Sequence, residues 1–504
     1  LNELSPVLGI YGNKAPRTPD IHIAVSGSIY ERSLQDDERI CVQDVEKEPR
    51  FSRAFDERTG YKTKNILCAT LTASSENIGV VEFLNRESPT LGNWENSILD
   101  RFTRQMTVAI RSLPLITSMH VPFLRSLHQM ESSTEADDSN PVSPQEAIAI
   151  VGIGCRFPGG VVDPESFWDL MIHETDAIEE IPSQRWDALK YYDPDPDAIG
   201  KSVTRHGGFL GDIDAFDAEF FGISPREAEC MDPQQRLMME CSFEALENAG
   251  IVPQHLMGTD TGVFLGLLYQ EYASHWGSIE QRDGYMLTGN AGSVLSGRVS
   301  YFLGAQGPSL TLDTACSSSL VALHLASESL LKGECSVALA GGVTLMLTPS
   351  SFVGFSQMNG LAQDGRCKTF SDKADGTSWA EGCGVLVLKR YKDAKEAGDN
   401  VLGLIRGSAI NQDGRSNGLT APNPASQKEV IRQAIGKAGV LPGDIDYVEC
   451  HGTGTTLGDP IEVMALDSVL REGRELDKPL LIGSVKTNFG HTQAAAGVAG
   501  IIKV

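Results

Sequence analysis

The part of the chain after residue 145 predicts an α/β fold, in which helices cover both faces of a sheet. Four segments are apolar at successive positions, so that both faces of each predicted strand are apolar; they are 147–153, 262–268, 337–343 and 384–388. Such strands have to be covered on both sides. Segments with helical spacing alternate with them, and glycine is frequent at the predicted strand ends and turns.

A smaller α+β unit is predicted over residues 1–125. Residues 66–72 and 79–85 are typical of strands, and Asn77 just ahead of the second strand favours a hairpin turn. Residues 98–110 place apolar side chains at helical spacing along one face. Together, the hairpin and the helix predict a small mixed domain.

A linker over residues 126–145 is expected to separate this unit from the large unit at 146–504. Residues 131–145 contain four acidic residues and two prolines but no aromatic residue. Such a segment buries too little apolar area to offset the entropy of ordering it. The chain begins with Leu1 and ends after an apolar run at Val504, so we expect truncation at both ends.

The composition excludes several classes of function. The 504 residues include 42 basic and 67 acidic side chains, a net charge of −25, whereas nucleic-acid binding needs a clustered basic surface. No apolar run approaches the ~20 residues that cross a bilayer. The ten cysteines include no C-x-x-C pair, which argues against zinc and against a disulfide scaffold. We expect a cytoplasmic protein with reduced, mostly buried cysteines and no metal, membrane or nucleic-acid partner.

A glycine-rich turn follows the first strand of the large unit. Gly152 and Gly154 fit the first two positions of the G-x-G-x-x-G dinucleotide fingerprint, but Phe157 occupies the third and Pro158 follows it. The sequence therefore favours a tight turn after a buried strand over a dinucleotide site.

A cysteine lies at a predicted junction between a strand and a helix. The strand ends near Leu312, and small residues around Cys316 precede a helix whose apolar stripe begins at Leu320. Unpaired N–H groups and the macrodipole at a helix start stabilise a thiolate, which predicts a lowered pKa for Cys316. The alternative is a small buried cysteine at a crowded corner.

Two histidines enter similar loops further along the chain. His451 follows a short predicted strand and precedes a loop of glycines and threonines, while His491 follows another strand and a polar turn. Two imidazoles and a cysteine at a helix start are the components of a site that handles thioesters.

Six ordered motifs make residues 146–504 resemble the β-ketoacyl synthase family, of the type found in multidomain polyketide synthases. They occupy residues 148–159, 221–228, 231–237, 313–319 (DTACSSS), 451–455 (HGTGT) and 488–491 (NFGH). The resemblance implies a thiolase-like fold with five αβαβα layers, two similar halves at about 146–395 and 396–504, and a homodimer. It also implies condensation of acyl and malonyl thioesters that an acyl carrier protein holds on phosphopantetheine, with no cofactor bound directly.

The same resemblance implies roles for individual residues. Cys316 matches the acyl-accepting nucleophile, and His451 and His491 match the pair that promotes decarboxylation of the extender unit. Lys486 matches a lysine that supports the second histidine; the alternative is an exposed lysine at a strand end.

Three further residues have weaker assignments from the resemblance. Thr453 and Thr455 match hydroxyl groups that contact the phosphopantetheine arm, and the alternative is hydrogen bonding within their own loop. Glu462 is expected to support the site from a structural or buried polar network.

Two features depart from the family pattern. The chain ends 13 residues after His491, before the Gly/Phe-rich loop that carries the second oxyanion-hole amide in the family, so we expect an incomplete C-terminal half. Ala380 takes the place of a usual glycine, which the backbone tolerates where φ is negative.

The first unit resembles a GAF domain, a small module that senses ligands or dimerises. The matching segments are 40–51, 59–68 and 79–86. An alternative function follows: a GAF-type sensing or interaction module fused to a catalytically incomplete synthase fragment. Cys316 favours a condensing enzyme over the non-condensing relatives of the fold, which replace this cysteine.

Overall fold

The computed structural model describes most of the large unit and short stretches of the first. Described are residues 147–504 except 277–282, 417, 419 and 476, together with 3–4, 23–24, 40–42, 44–49, 64, 66–73 and 76–84. The chain divides into two compact units, Leu1–Asp137 and Asp138–Val504.

The described part of the first unit contains a three-stranded antiparallel sheet. Its strands are Ile40–Val42, Ile66–Ala73 and Glu76–Leu84, in that order across the sheet. The last two strands form the predicted antiparallel pair. Asn77 lies within the third strand, opposite Thr72, and so the prediction that it precedes the strand is wrong. The predicted helix at 98–110 and the predicted linker at 126–145 lie outside the described residues.

A six-stranded mixed sheet forms the centre of the second unit. Its strands are β1 (Ile148–Arg156), β2 (Gly262–Gly266), β3 (Ser309–Leu312), β4 (Val337–Thr344), β5 (Gly382–Arg390) and β6 (Gly403–Ile405). The order across the sheet is β3-β2-β4-β5-β1-β6. The strands β3, β2 and β4 are mutually parallel. The strand β5 runs antiparallel to β4 and to β1, and β6 runs antiparallel to β1. The four strands predicted from their apolar runs are confirmed.

Helices connect these strands along the chain. They are α1 (Pro164–Ile172), α2 (Ala188–Tyr191), α3 (Pro225–Cys230), α4 (Pro233–Asn248), α5 (Tyr285–Asn290), α6 (Gly292–Leu303), α7 (Ser318–Leu331), α8 (Ser350–Gln357) and α9 (Tyr391–Ala397). A two-residue pair, Glu179–Glu180 with His206–Gly207, lies between β1 and β2 in sequence.

Both faces of the central sheet are covered, as the apolar strands predict. On one face Val151 and Leu265 pack in a core that includes Met238 of α4 and Leu295 of α6. On the other face the core includes side chains of β1, β2 and β5 together with those of α7 and the last helix of the chain. Strand residues alternate between these two cores because successive side chains of a strand point to opposite faces.

After β6 the chain forms a second, smaller parallel pair of strands. The elements are α10 (Pro424–Ala438), β7 (Tyr447–Glu449), α11 (Gly458–Leu470), β8 (Leu481–Gly483), α12 (Lys486–Phe489) and α13 (Ala496–Lys503). β7 and β8 pair in parallel, so the segments that follow them leave from the same edge. None of the helices in the described residues is long and apolar enough to cross a membrane.

Candidate active site

Cys316 lies on a sharp turn between β3 and α7, as the sequence predicts. The turn is a single 3-10 turn, Ala315–Ser317, directly before the first residue of α7. Ala315 has φ +54°, a left-handed conformation that costs a non-glycine residue about 1–3 kcal/mol. Ser318 Oγ holds the turn, because it accepts from the Thr314 N–H at 2.9 Å and donates to the Ala315 carbonyl at 2.7 Å.

Cys316 differs from the other described cysteines in its exposure. The side chains of eight cysteines are described, and none of these eight forms a disulfide; seven are buried and Cys316 alone is partly exposed. The prediction that most cysteines are buried is thus confirmed for these eight. A partly exposed thiol on a strained turn is accessible to a substrate.

The predicted lowering of the Cys316 pKa is wrong. Burial raises the pKa of this thiol, because desolvation disfavours the charged thiolate. The positive charge of Lys486 and the backbone N–H of Cys316 act in the opposite direction, but burial is the largest effect. The sequence shows the helix start, whereas the loss of water around the thiol depends on the folded surroundings.

His451 begins a loop directly after β7, and Glu462 fixes that loop from α11. Glu462 Oε1 accepts from the His451 N–H at 2.6 Å, and Oε2 accepts from the Gly452 N–H at 2.8 Å. Both carboxylate oxygens thus bind consecutive backbone groups, which orients the chain at His451. The polar network expected around Glu462 therefore consists of hydrogen bonds from the backbone N–H groups of His451 and Gly452 to its carboxylate.

A second carboxylate, which the sequence analysis did not single out, holds the rest of the loop. Asp459 accepts from the Gly454 N–H at 3.1 Å and from the Phe370 N–H at 2.8 Å. Thr369 Oγ1 also donates to the Gly452 carbonyl at 2.6 Å. The Gly-Asp-Pro triplet at the start of α11 was the available signal for Asp459, since acids at helix starts accept from nearby N–H groups.

The two threonines of the loop bond locally. Thr453 is buried, its Oγ1 lies 3.3 Å from Thr455 Oγ1, and Thr455 Oγ1 accepts from the Gly458 N–H at 3.2 Å. These bonds correspond to the alternative of hydrogen bonding within the loop. Contact of the two hydroxyls with phosphopantetheine stays a prediction.

Lys486 is buried at the first position of α12, with 5% of its surface exposed. The alternative of an exposed lysine at a strand end is therefore wrong. Burial lowers the pKa of its ammonium group, while nearby acidic groups, the thiol of Cys367 first and then Glu449, Glu462 and Cys316, raise it. Its positive charge also acts on Cys316, as described above, and on both loop histidines.

His491 is held rigidly in the interior, with 2% of its surface exposed. Its N–H donates to the Ser378 carbonyl at 2.7 Å, and its carbonyl accepts from the Ala380 N–H at 2.9 Å. Its ring Nδ1 accepts from the Gln493 N–H at 3.0 Å, which assigns the ring proton to Nε2. That Nε2–H is buried and has no hydrogen-bond partner among the described residues.

The two histidines face each other. Their ring centroids are 5.2 Å apart and the rings are nearly perpendicular, at 86°. Burial, then the charge of Lys486, then His451 lower the pKa of His491. The ring of His451 keeps open surface, yet the protein around it desolvates it enough to lower its pKa, and Lys486 adds to this. Both imidazoles are therefore neutral near pH 7 and each can donate one N–H.

These observations place the Cys316 thiol, two neutral imidazoles and the buried amino group of Lys486 in one site. Ala380, which departs from the family pattern, is fully buried and does not have a positive φ, so an alanine fits there. Within the described part of the chain, no group of three or more His, Cys, Asp or Glu side chains could hold a metal ion.

Comparison with protein families decides what kind of site this is. Residues 145–394 match the model of the beta-ketoacyl synthase N-terminal domain, and residues 402–504 match that of the C-terminal domain. The chain belongs to the β-ketoacyl synthase family. The ordered motifs of the sequence thus indicated the correct family.

The curated relatives of this β-ketoacyl synthase are much longer proteins. Polyketide synthase GfsB of Streptomyces halstedii is 58% identical over 360 residues, which are 71% of this chain and 6% of GfsB. Phenolphthiocerol synthesis polyketide synthase type I Pks15/1 of Mycobacterium bovis is 58% identical over 361 residues, 71% of this chain and 17% of that protein. Pikromycin polyketide synthase component PikAII of Streptomyces venezuelae is 57% identical over 361 residues, which are 71% of this chain and 10% of PikAII.

Solved structures confirm the ketosynthase fold. The ketosynthase from module 6 of the bacillaene synthase of Bacillus subtilis 168 is 46% identical, with a TM-score of 0.66 over 71% of this chain and 60% of that one. The oxazolomycin ketosynthase domain OzmH KS7 of Streptomyces albus JA3453 is 41% identical, with a TM-score of 0.67 over 71% of this chain and 61% of that one. The predicted thiolase-like α/β fold of the large unit is therefore correct.

Proposed function

We propose that this chain is the ketosynthase of a modular polyketide synthase. It transfers an acyl group to Cys316 and then condenses that group with a malonyl-type unit on an acyl carrier protein. The observation that carries the proposal is the unpartnered Nε2–H of His491, which lies beside His451 in the site that also contains the thiol. A buried donor without a partner is suited to a charge that exists only during the reaction.

The first half-reaction is an exchange of thioesters. Cys316 Sγ attacks the carbonyl carbon of the incoming acyl thioester, and the bond from that carbon to the pantetheine sulfur breaks. The thiol proton of Cys316 ends on the departing pantetheine sulfur, so the exchange balances without any other reactant. Because burial raises the pKa of Cys316, this proton leaves only as the reaction proceeds, and the Lys486 charge favours the thiolate.

The second half-reaction builds the carbon–carbon bond. Loss of carbon dioxide from the malonyl thioester leaves an enolate, whose negative charge lies largely on the thioester oxygen. The Nε2–H of His491 and one N–H of His451 donate to that oxygen. The enolate carbon then attacks the acyl carbon on Cys316, the bond to Sγ breaks, and the thiolate takes a proton from solvent.

The proposed partners follow from this chemistry and from one exposed strand. An acyl carrier protein supplies both thioesters on phosphopantetheine, whose arm Thr453 and Thr455 contact, and no other cofactor takes part. The outer edge of β3 has no strand partner in the described part of the chain, and Leu310 of β3 and Tyr301 of α6 are exposed. An unpaired edge next to apolar surface supports a homodimer.

The proposal also covers the layers of the large unit, the nature of residues 1–125 and the cellular location. The two similar halves both contribute to a five-layer αβαβα arrangement, and residues 1–125 form a GAF-like module. The antiparallel sheet of Ile40–Val42, Ile66–Ala73 and Glu76–Leu84 supports an α+β unit there. Free described cysteines support a reducing, cytoplasmic location.

Labelling with a radioactive acyl-carrier-protein thioester tests the acyl-transfer step. The wild-type chain and Cys335→Ala, which removes a buried cysteine that takes no part in the site, should become labelled, whereas Cys316→Ala should not. His451→Ala and His491→Ala should still acylate Cys316, but their condensation rate should fall about 100- to 1000-fold, as for a lost oxyanion donor. A folded wild-type chain that takes up no label would exclude the proposed activity.

A further inference from the structure

Glu449, the last residue of β7, is the centre of a hydrogen-bond network that neither the sequence analysis nor the mechanism uses. Its Oε1 accepts from the Val485 N–H at 2.5 Å. Its Oε2 accepts from Lys503 Nζ at 2.6 Å and from the Tyr447 hydroxyl at 2.5 Å. Only 10% of the Glu449 side chain is exposed, so these bonds lie largely out of water.

The network joins the segments on which both loop histidines and the lysine depend. Glu449 lies two residues before His451, and Val485 lies one residue before Lys486. The strands β7 and β8 pair directly here, and the Cys450 N–H donates to the Gly483 carbonyl at 2.8 Å. Glu449 therefore connects the end of β7 to the segment that follows β8.

Lys503 extends the network to the element that carries the nucleophile. It lies at the end of α13, and in the same helix the Val498 N–H donates to Ser319 Oγ at 3.0 Å. Ser319 belongs to the first turn of α7, three residues after Cys316. One carboxylate thus connects, through short and mostly buried contacts, the segments of His451, Lys486 and Cys316.

A carboxylate suits this junction better than any neutral side chain. Val485 is almost fully buried, and its N–H would lack an acceptor without Glu449. The second oxygen receives a positive charge and a hydroxyl proton at once, and charge-assisted bonds of this kind are short and directional. An amide in its place could accept on one side only.

We propose that Glu449 is a positioning residue for the condensation step, which sets the place of Lys486 and His451 relative to Cys316. The inference rests on the proposed function and deepens it. Acylation needs the thiol, its turn and the charge of Lys486, which acts at a distance and is less sensitive to a small displacement, whereas condensation needs the thiol and both imidazoles at exact positions. Loss of Glu449 should therefore slow condensation far more than acylation.

The test compares the two half-reactions in the full chain. In Glu449→Gln, decarboxylative condensation with a malonyl-carrier-protein thioester should fall about 10- to 100-fold, the effect expected when reacting groups are misplaced by a fraction of an ångström to an ångström. The rate of Cys316 acylation should stay within about threefold of the wild type, because the Cys316 turn keeps its own hydrogen bonds. Both rates are measured by single-turnover assays with radiolabelled substrates.

Two control variants separate positioning from general stability. Tyr447→Phe removes a hydroxyl that donates to Glu449 and accepts from Lys503 Nζ at 2.8 Å, but it leaves the bonds of Glu449 itself to Val485 and Lys503. Glu396→Gln removes an exposed carboxylate on α9. Both variants should condense at nearly the wild-type rate. Equal losses of acylation and condensation in Glu449→Gln, or condensation at the wild-type rate, would overturn the role of Glu449. A wild-type chain that acylates Cys316 but never condenses would overturn the proposed function, and with it this role.

Discussion

At the scale of single residues, the site depends on a balance of charges in a largely dry environment. Cys316 needs to lose a proton to react, and burial opposes this. Lys486 supplies the opposing positive charge, and the same charge adds to burial, which is the larger effect, in keeping His451 and His491 neutral. In the proposed mechanism one buried ammonium group thus serves both half-reactions, because a nearby cation disfavours protonation of a histidine and favours the thiolate form of a cysteine.

The reactivity of Cys316 toward iodoacetamide should reveal this balance. Because its pKa is raised from the ordinary value of 9.0, the alkylation rate should still be rising at pH 9. Lys486→Met removes the charge that lowers the pKa, so alkylation at pH 8 should slow about 3- to 10-fold relative to the wild type. Mass spectrometry of the Cys316 peptide measures the rate.

The exposed lysine variant Lys395→Met serves as the control, and its alkylation rate should equal that of the wild type. An alkylation rate that reaches a plateau by pH 7 would show instead that Cys316 is a thiolate at rest.

At the scale of elements, each functional side chain lies where a strand or helix begins or ends. The start of α7 approaches β2 closely because Gly266 has no side chain there. A Cβ at Gly266 would lie 2.8 Å from Ser318 Cβ and 2.9 Å from the Ser319 backbone nitrogen, closer than such atoms approach. The contact holds the first turn of α7, and therefore Cys316, against the sheet.

Gly266→Ala should therefore displace the start of α7. The variant should lose about 1–3 kcal/mol of unfolding free energy, the usual cost of overpacking, and should acylate more slowly. Gly297→Ala in α6 is the matched control, since a Cβ there meets nothing within 4 Å. It should gain about 0.5–1 kcal/mol from the better helix propensity of alanine. Urea unfolding measures both, and a Gly266→Ala protein as stable as wild type would refute the close packing.

At the scale of the whole molecule, the neutral buried histidine links stability to pH. The folded-state pKa of His491 lies well below its ordinary value of 6.5, whereas the unfolded chain titrates near 6.5. Between these values the unfolded state binds more protons, so stability present above pH 6.5 is lost as the pH falls.

Lowering the pH from 7 to 5 should therefore destabilise the wild type through His491, by at most about 2 kcal/mol. His491→Gln cannot take up this proton, so its unfolding free energy should fall by correspondingly less over the same range. Urea unfolding of both proteins at the two pH values gives the difference. An identical pH dependence of wild type and variant would show that folding does not lower the pKa of His491.

Particular residues show how far the sequence could be interpreted. The apolar strands, the junction at Cys316 and the position of His451 after a strand were predictable, because short-range patterns of apolar and small residues determine them. The bonds of Glu449 to Val485 and of Glu462 to the His451 loop were not predictable. They join residues 36 and 11 positions apart, and only the pairing of β7 with β8 and the placement of α11 bring these groups together.

The sequence by itself determined the family and the α/β class of the large unit, and it singled out the candidate thiol and the two candidate imidazoles. The tertiary structure alone decided the electrostatic state and the hydrogen bonding of these side chains. It raises the pKa of Cys316, buries Lys486 and leaves the Nε2–H of His491 without a partner among the described residues. The physical reason is that motifs are local along the chain. Desolvation and hydrogen-bond partnership instead depend on which distant segments exclude water from a group, and folding alone brings those segments together.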